Sequence, residues 1–218
     1  MTERFIHEVR VERPPAAEDA AAARARLAER FPRAALRRMT HLGMLVGAAA
    51  DGIALGPDDA IVYATSYGET RALEDYLASF PAASPLLFQT SIHPSAVQQV
   101  LIGRQQPVAR LWPLAGRARL VEQALLAAVL EPAPRVWLTG GEERGTWLLE
   151  RGVASDRAFA FGLLLAADGD GAAGRLAARP ASGPDEPGPT LASFADALAA
   201  RAPLAWTGGG ARWSVEWR

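Results

Sequence analysis

Residues 107–139 constrain the fold of this chain most tightly. Pro107-Val108-Ala109-Arg110-Leu111-Trp112 reads as a strand. Ala115 to Leu130 reads as a helix, with Leu120, Val121, Ala124, Leu125, Ala128 and Val129 forming a wide apolar face. Arg135-Val136-Trp137-Leu138-Thr139 is a second strand, ending in Gly140-Gly141. A strand, a crossover helix and a strand imply a βαβ unit with parallel strands and a right-handed connection. Parallel strands are buried on both faces, so helices must cover the sheet above and below. Ala60-Ile61-Val62-Tyr63-Ala64-Thr65, set between Gly56-Pro57 and Gly68, fits the same picture as a buried strand.

The remaining pattern supplies more helices and strands. Phe5 to Val11 alternates as a short strand, stopped by Pro14-Pro15. Ala16–Arg30 and Ala34–Ala50 read as helices, the second with Leu36, Met39, Leu42, Leu45 and Val46 at helical spacing. Helices are also expected over Glu69–Phe80 and Val97–Ile102, with Ser84–Ser95 as a loop leading into the latter. Arg157–Ala167 reads as a long apolar strand, paired with Gly174–Arg179 through an Asp168-Gly169-Asp170-Gly171 turn. Residues 180–189 are rich in Pro, Gly and Asp and are expected to be a mobile loop. A short helix over Leu191–Arg201 and a hairpin to Trp217 follow, with Trp213, Val215 and Trp217 on one face. The expectation is one domain over 1–218, its best-supported core at 34–168 and a C-terminal helix and hairpin at 190–218.

Composition excludes several classes of chemistry. The 218 residues carry a net charge of −1, which gives no bulk attraction to nucleic acid or to an anionic membrane. No apolar run approaches the ~20 residues of a spanning helix, and no secretory signal is visible. All 23 basic residues are arginine, so lysine-dependent phosphate loops and Schiff bases are out. With no cysteine there is no disulfide framework and no thiolate metal site. Neither a metal nor a cofactor is expected. A cytoplasmic location fits these features.

Three local clusters invite a chemical reading. Ser91 and Ser95 flank His93, which suggests a nucleophile and base for acyl-thioester hydrolysis or transfer, although neither serine lies in a G-x-S-x-G elbow. Glu142-Glu143 is a carboxylate pair, read as a solvated strand end. Asp168-Gly-Asp170-Gly lacks the other ligands of a calcium loop, and Gly208-Gly209-Gly210 precedes no helix, so both read as turns.

Several of these segments, taken in order, resemble the β-ketoacyl-synthase-like, chain-length-factor-like proteins of aryl polyene pigment clusters. The resemblance rests on Ser84-Pro85, Phe88, Ser91-Ile92-His93 and Leu101-Ile102. It is extended by Arg37-Arg38-Met39-Thr40-His41-Leu42, by Ile61 to Glu69, by Leu138-Thr139-Gly140-Gly141-Glu142 and by the Trp213-Ser214-Val215-Glu216-Trp217 ending. The sequence departs from the family at Pro94 and at Val97-Gln98-Gln99. The resemblance implies an α/β, thiolase-like fold corresponding to the N-terminal half of a ketosynthase. It is expected to be layered α/β/α, with a mostly parallel central sheet and a truncated C-terminal half.

The resemblance also implies where a nucleophile would stand. In active ketosynthases a cysteine opens the buried helix, where the helix N-terminus stabilises a thiolate. Aligning Leu120-Val121 with that helix places Gly116 at the cysteine's position, so no catalytic residue is expected. The implied role is a non-catalytic subunit in polyene or fatty-acid-type biosynthesis. It would form a heterodimer with a catalytic β-ketoacyl-ACP synthase, meet acyl carrier protein indirectly and shape the partner's acyl tunnel. Phe88, His93, Gln98, Leu101, Val108, Arg110 and Trp112 are the tunnel or interface candidates. The alternatives are the Ser91/Ser95–His93 hydrolase or transferase, and a homodimeric module that binds acyl carrier protein.

Overall fold

The computed structural model describes residues 2–15 and 18–218. Its elements are β1 (Thr2–Glu12), α1 (Ala20–Ala28), α2 (Arg33–Leu36), α3 (His41–Ala49), β2 (Ala60–Thr65), α4 (Thr70–Ala78), α5 (Pro85–Ser91) and α6 (Ser95–Arg104). There follow β3 (Arg110–Ala115), α7 (Leu120–Leu130), β4 (Arg135–Glu142), α8 (Trp147–Glu150), β5 (Phe159–Ala166), β6 (Gly174–Pro180), α9 (Leu191–Ala200), β7 (Leu204–Gly208) and β8 (Ala211–Trp217). All eight strands join one sheet in the order β3-β2-β4-β5-β1-β6-β8-β7.

Alternation along the buried strands sorts side chains into two cores. Val62, Ala64, Val136, Leu138, Phe159, Phe161 and Leu163 face α7 and α9. Ile61, Tyr63, Trp137, Ala160 and Leu164 face α1, α3 and α6. The result is the expected α/β/α layering, with α3 so deeply enclosed that every residue from Leu42 to Ala49 is buried. No helix among the described residues is long and apolar enough to cross a membrane.

Three expectations change. The sheet is mixed rather than mostly parallel: β2 pairs in parallel with β3 and β4, and the other pairings are antiparallel. The β3-α7-β4 crossover exists, but β2 lies between its two strands. Nor do β5 and β6 pair as a hairpin, because β1 inserts between them and bonds to both. The turn joining them straddles the insertion: Ala173 N donates to Ile6 O at 2.8 Å and His7 Nε2 to Asp168 O at 2.8 Å. Residues 174–217 thus add β6, β8 and β7 to the same sheet, and α9 lies beside α7.

Local boundaries shift for identifiable reasons. The helix expected over 34–50 is divided, because Thr40 leaves helical geometry and its side chain caps α3 by accepting from Gly43 N. The strand expected at 107–112 lies at 110–115 and contains Pro113, which an edge strand tolerates because its outer N–H has no sheet partner. Helix α5 replaces part of the loop expected over Ser84–Ser95. Ser84 is its N-cap, bonded to Leu87 N, with Pro85 in the first turn, a start signal that was present in the sequence.

Candidate functional site

Strand β3 forms an open margin of the sheet, with only β2 beside it among the described residues. Its residues are exposed or half-buried throughout, and Trp112 is 46% exposed. The strand is held in place by Glu131, just past the end of α7. That carboxylate accepts from Arg110 Nε at 2.9 Å, from Trp112 Nε1 at 2.6 Å and from Ala133 N at 3.1 Å. Burial alone would raise its pKa; the Arg110 and Trp112 hydrogen bonds outweigh that and hold it below the ordinary carboxylate value. Leu126 and Leu130 on α7 are also exposed, which gives this side of the molecule uncovered apolar surface.

The strand ends at Ala115, and Gly116 follows at once. Gly116 N donates to Thr65 O at 3.2 Å, and its φ of +142° lies where only glycine is comfortable. Arg117 stacks over Tyr67 at 5.8 Å, Arg119 also takes positive φ, and α7 begins at Leu120. Gly116 therefore stands on the turn between strand and buried helix, and it offers no side chain for covalent chemistry.

The other sequence candidates are dispersed. Phe88 lies on α5, half exposed, with its ring 5.3 Å from Tyr76 of α4. Gln98 of α6 points to solvent. Leu101 and Val108 pack against the core beneath α3 and α6. Only Arg110 and Trp112 are joined through a shared partner, Glu131. The Ser–His arrangement does not form. Ser91 Oγ donates to Phe88 O at 2.8 Å, Ser95 Oγ accepts from Gln99 Nε2 at 2.8 Å, and neither ring nitrogen of His93 has a hydrogen-bond partner.

His93 packs instead against Tyr63 of β2, and Tyr63 in turn lies close to three buried carboxyls. The His93 ring stacks on Tyr63 at 5.0 Å, and burial lowers its pKa to about 4. Glu142 and Glu143 are 3% and 0% exposed, which corrects their reading as a solvated strand end. Glu143 accepts from Leu42 N at 3.1 Å and Arg71 N at 2.8 Å, in the first turns of α3 and α4. Glu69 accepts from Ala96 N at 2.8 Å in the first turn of α6, and Glu142 accepts from Ser66 N and Thr65 Oγ1. Helix N-termini favour such negative charge, yet burial dominates and raises all three carboxyls to about 7. Each carboxylate serves its own backbone segment, and no group of three or more ligating side chains suits a metal ion among the described residues. Close packing brought Glu142 and Glu143 inside. At Gly140 and Gly141 a Cβ would lie 2.4 Å from Ala64 O and 2.5 Å from Phe159 O. The paired glycines were the available signal that the strand continued into the interior.

Comparison with known proteins places this geometry. No family model matches the chain, and no curated protein matches it. Solved structures do. One is a ketosynthase in complex with its chain length factor from Xenorhabdus doucetiae: TM-score 0.70, 19% identity, covering 99% of this chain and 99% of that one. Another is the ishigamide ketosynthase/chain length factor: TM-score 0.59, 15% identity, 83% of this chain and 68% of that one. A third is a β-ketoacyl synthase from Burkholderia phymatum: TM-score 0.54, 15% identity, 83% and 65%. The chain has the thiolase-like fold of ketosynthases and chain length factors.

Proposed function

We propose that this chain is a non-catalytic, chain-length-factor-like subunit of the aryl polyene type. It pairs in the cytoplasm with a catalytic β-ketoacyl-ACP synthase and shapes or stabilises that partner's acyl tunnel. The observation that carries this reading is the open strand β3, with exposed Trp112 on it and Gly116 at its end. An exposed edge of this kind is a template for strand pairing. Trp112 and Arg110 are of the residue types that most often anchor interfaces, and Glu131 holds both in fixed positions. The fold likeness supports the reading because one similar structure is itself a ketosynthase bound to its chain length factor. In this account the partner supplies the thiolate nucleophile and receives the acyl group from its carrier protein, so the present chain meets the carrier indirectly. An obligate interface of this class buries more than about 2,000 Å².

The test is co-expression with candidate synthases, followed by assay of acyl-thioester condensation. The chain alone is expected to be silent, and the pair to condense with a product length different from that of the synthase alone. Thioester turnover by the isolated chain, abolished by His93→Ala, would refute the proposal.

A further inference from the structure

A second concave site lies away from β3, between α1, the α2–α3 turn, α4 and α5. It is a cleft of about 440 Å³, within the range of small-molecule sites. Arg24, Arg37, Arg38 and Arg71 line it, against one carboxylate, Asp75. Among the described residues Arg24, Arg37 and Arg38 make no salt bridge. Arg24 is steadied by its bond to Met39 O at 3.3 Å. Arg71 approaches Glu74 only at 3.6 Å, and both oxygens of Glu74 already accept from Thr146 and one also from Leu148. His41 closes the basic end; burial first, then Arg24 and Arg71, lower its pKa to about 4, so the imidazole is neutral and adds no charge of its own. Leu86 and Leu87 of α5 line the opposite wall, and Leu86 is 56% exposed.

Four guanidinium groups lining one cleft, three of them without a salt bridge and the fourth only loosely paired, are matched by an oxyanion that takes two parallel hydrogen bonds from a guanidinium fork. A leucine wall beside them is matched by hydrocarbon. We propose that this cleft binds a soluble phosphate ester, with the phosphate among Arg24, Arg37, Arg38 and Arg71 and an apolar group against Leu86 and Leu87. A concave site favours a small ester over a flat anionic surface. The proposal is independent of the pairing role assigned to β3.

The experiment is titration calorimetry at constant ionic strength with inorganic phosphate, phenyl phosphate and vesicles containing phosphatidic acid. Saturable binding of both soluble anions is expected, with phenyl phosphate the tighter. Arg37→Gln/Arg38→Gln weakens both by about tenfold or more. Leu86→Asn removes the advantage of phenyl phosphate and leaves inorganic phosphate unchanged. Neither arginine makes a side-chain bond among the described residues, so the double variant keeps the native circular dichroism and urea midpoint. Absence of saturable binding, binding unchanged in the double variant, or binding to vesicles alone would each overturn the proposal.

Discussion

Gly116 carries the turn from β3 to α7 without a side chain. A Cβ would meet no atom within 4 Å, so space is not the obstacle; the backbone is, because φ is +142°. Gly116→Ala should therefore destabilise the protein by about 1–3 kcal/mol, read as a lower urea midpoint. Gly116→Cys should suffer the same strain and give no condensation in the isolated chain. Glu143 is the corresponding residue among the buried carboxyls. Glu143→Ala orphans the N–H groups of Leu42 and Arg71, at a cost of about 1–4 kcal/mol for two lost caps. Glu143→Gln keeps an accepting oxygen and should cost less, which chemical denaturation of the two variants would compare. None of this was legible at Glu142-Glu143 itself, because two adjacent carboxylates after a strand ordinarily mark its exit into solvent. What reversed it was the close approach of Gly140 and Gly141 to neighbouring backbone, a tertiary fact.

Strand β3 and helix α7 are the elements on which the functional reading turns. Helix α7, β2 and β4 were legible because their apolar residues recur with the period of a buried helix or run unbroken as a buried strand. Less legible was β3, whose Pro113 argues against a strand until the strand is known to lie at an edge. Helix α5 was missed although Ser84-Pro85 announces it, since Phe88 and Leu86 stay exposed and give no buried stripe. The wall expected from Phe88, Gln98, Leu101 and Trp112 could not be judged from spacing, because those residues are spread over α5, α6 and β3. The open edge itself makes a prediction. Trp112→Lys places a charge on β3 and removes the Trp112–Glu131 hydrogen bond, so it should abolish capture of a synthase while the chain still folds, with an unfolding free energy lower by about 1–3 kcal/mol. Pull-down and denaturation of the same variant measure both halves.

The sheet is continuous from β3 to β7, and β1 is the strand that makes it so. No local pattern could have placed β1 between β5 and β6, because its partners lie at least 148 residues away in sequence. The interior also carries a pH signature. Glu69, Glu142 and Glu143 are raised from an ordinary 4.5 to about 7, so between those values the folded chain holds protons that the unfolded chain releases. Stability from these groups falls as pH rises through that window. His41 and His93 are lowered from 6.5 to about 4, so the unfolded chain holds their protons and stability rises with pH between about 4 and 6.5. Between about pH 5 and 6 the two effects oppose each other, and because three carboxyls face two imidazoles the expected direction is a decline in stability as pH rises. His93→Phe should steepen that decline and Glu143→Gln should flatten it, as followed by urea unfolding across the range.

The most direct measurement is light scattering of the chain co-expressed with a candidate synthase and separated by size. An equimolar complex that persists through purification and is lost with Trp112→Lys is the predicted result. Synthase and chain eluting apart, or a complex indifferent to Trp112→Lys, would contradict the assignment of β3 as the pairing edge.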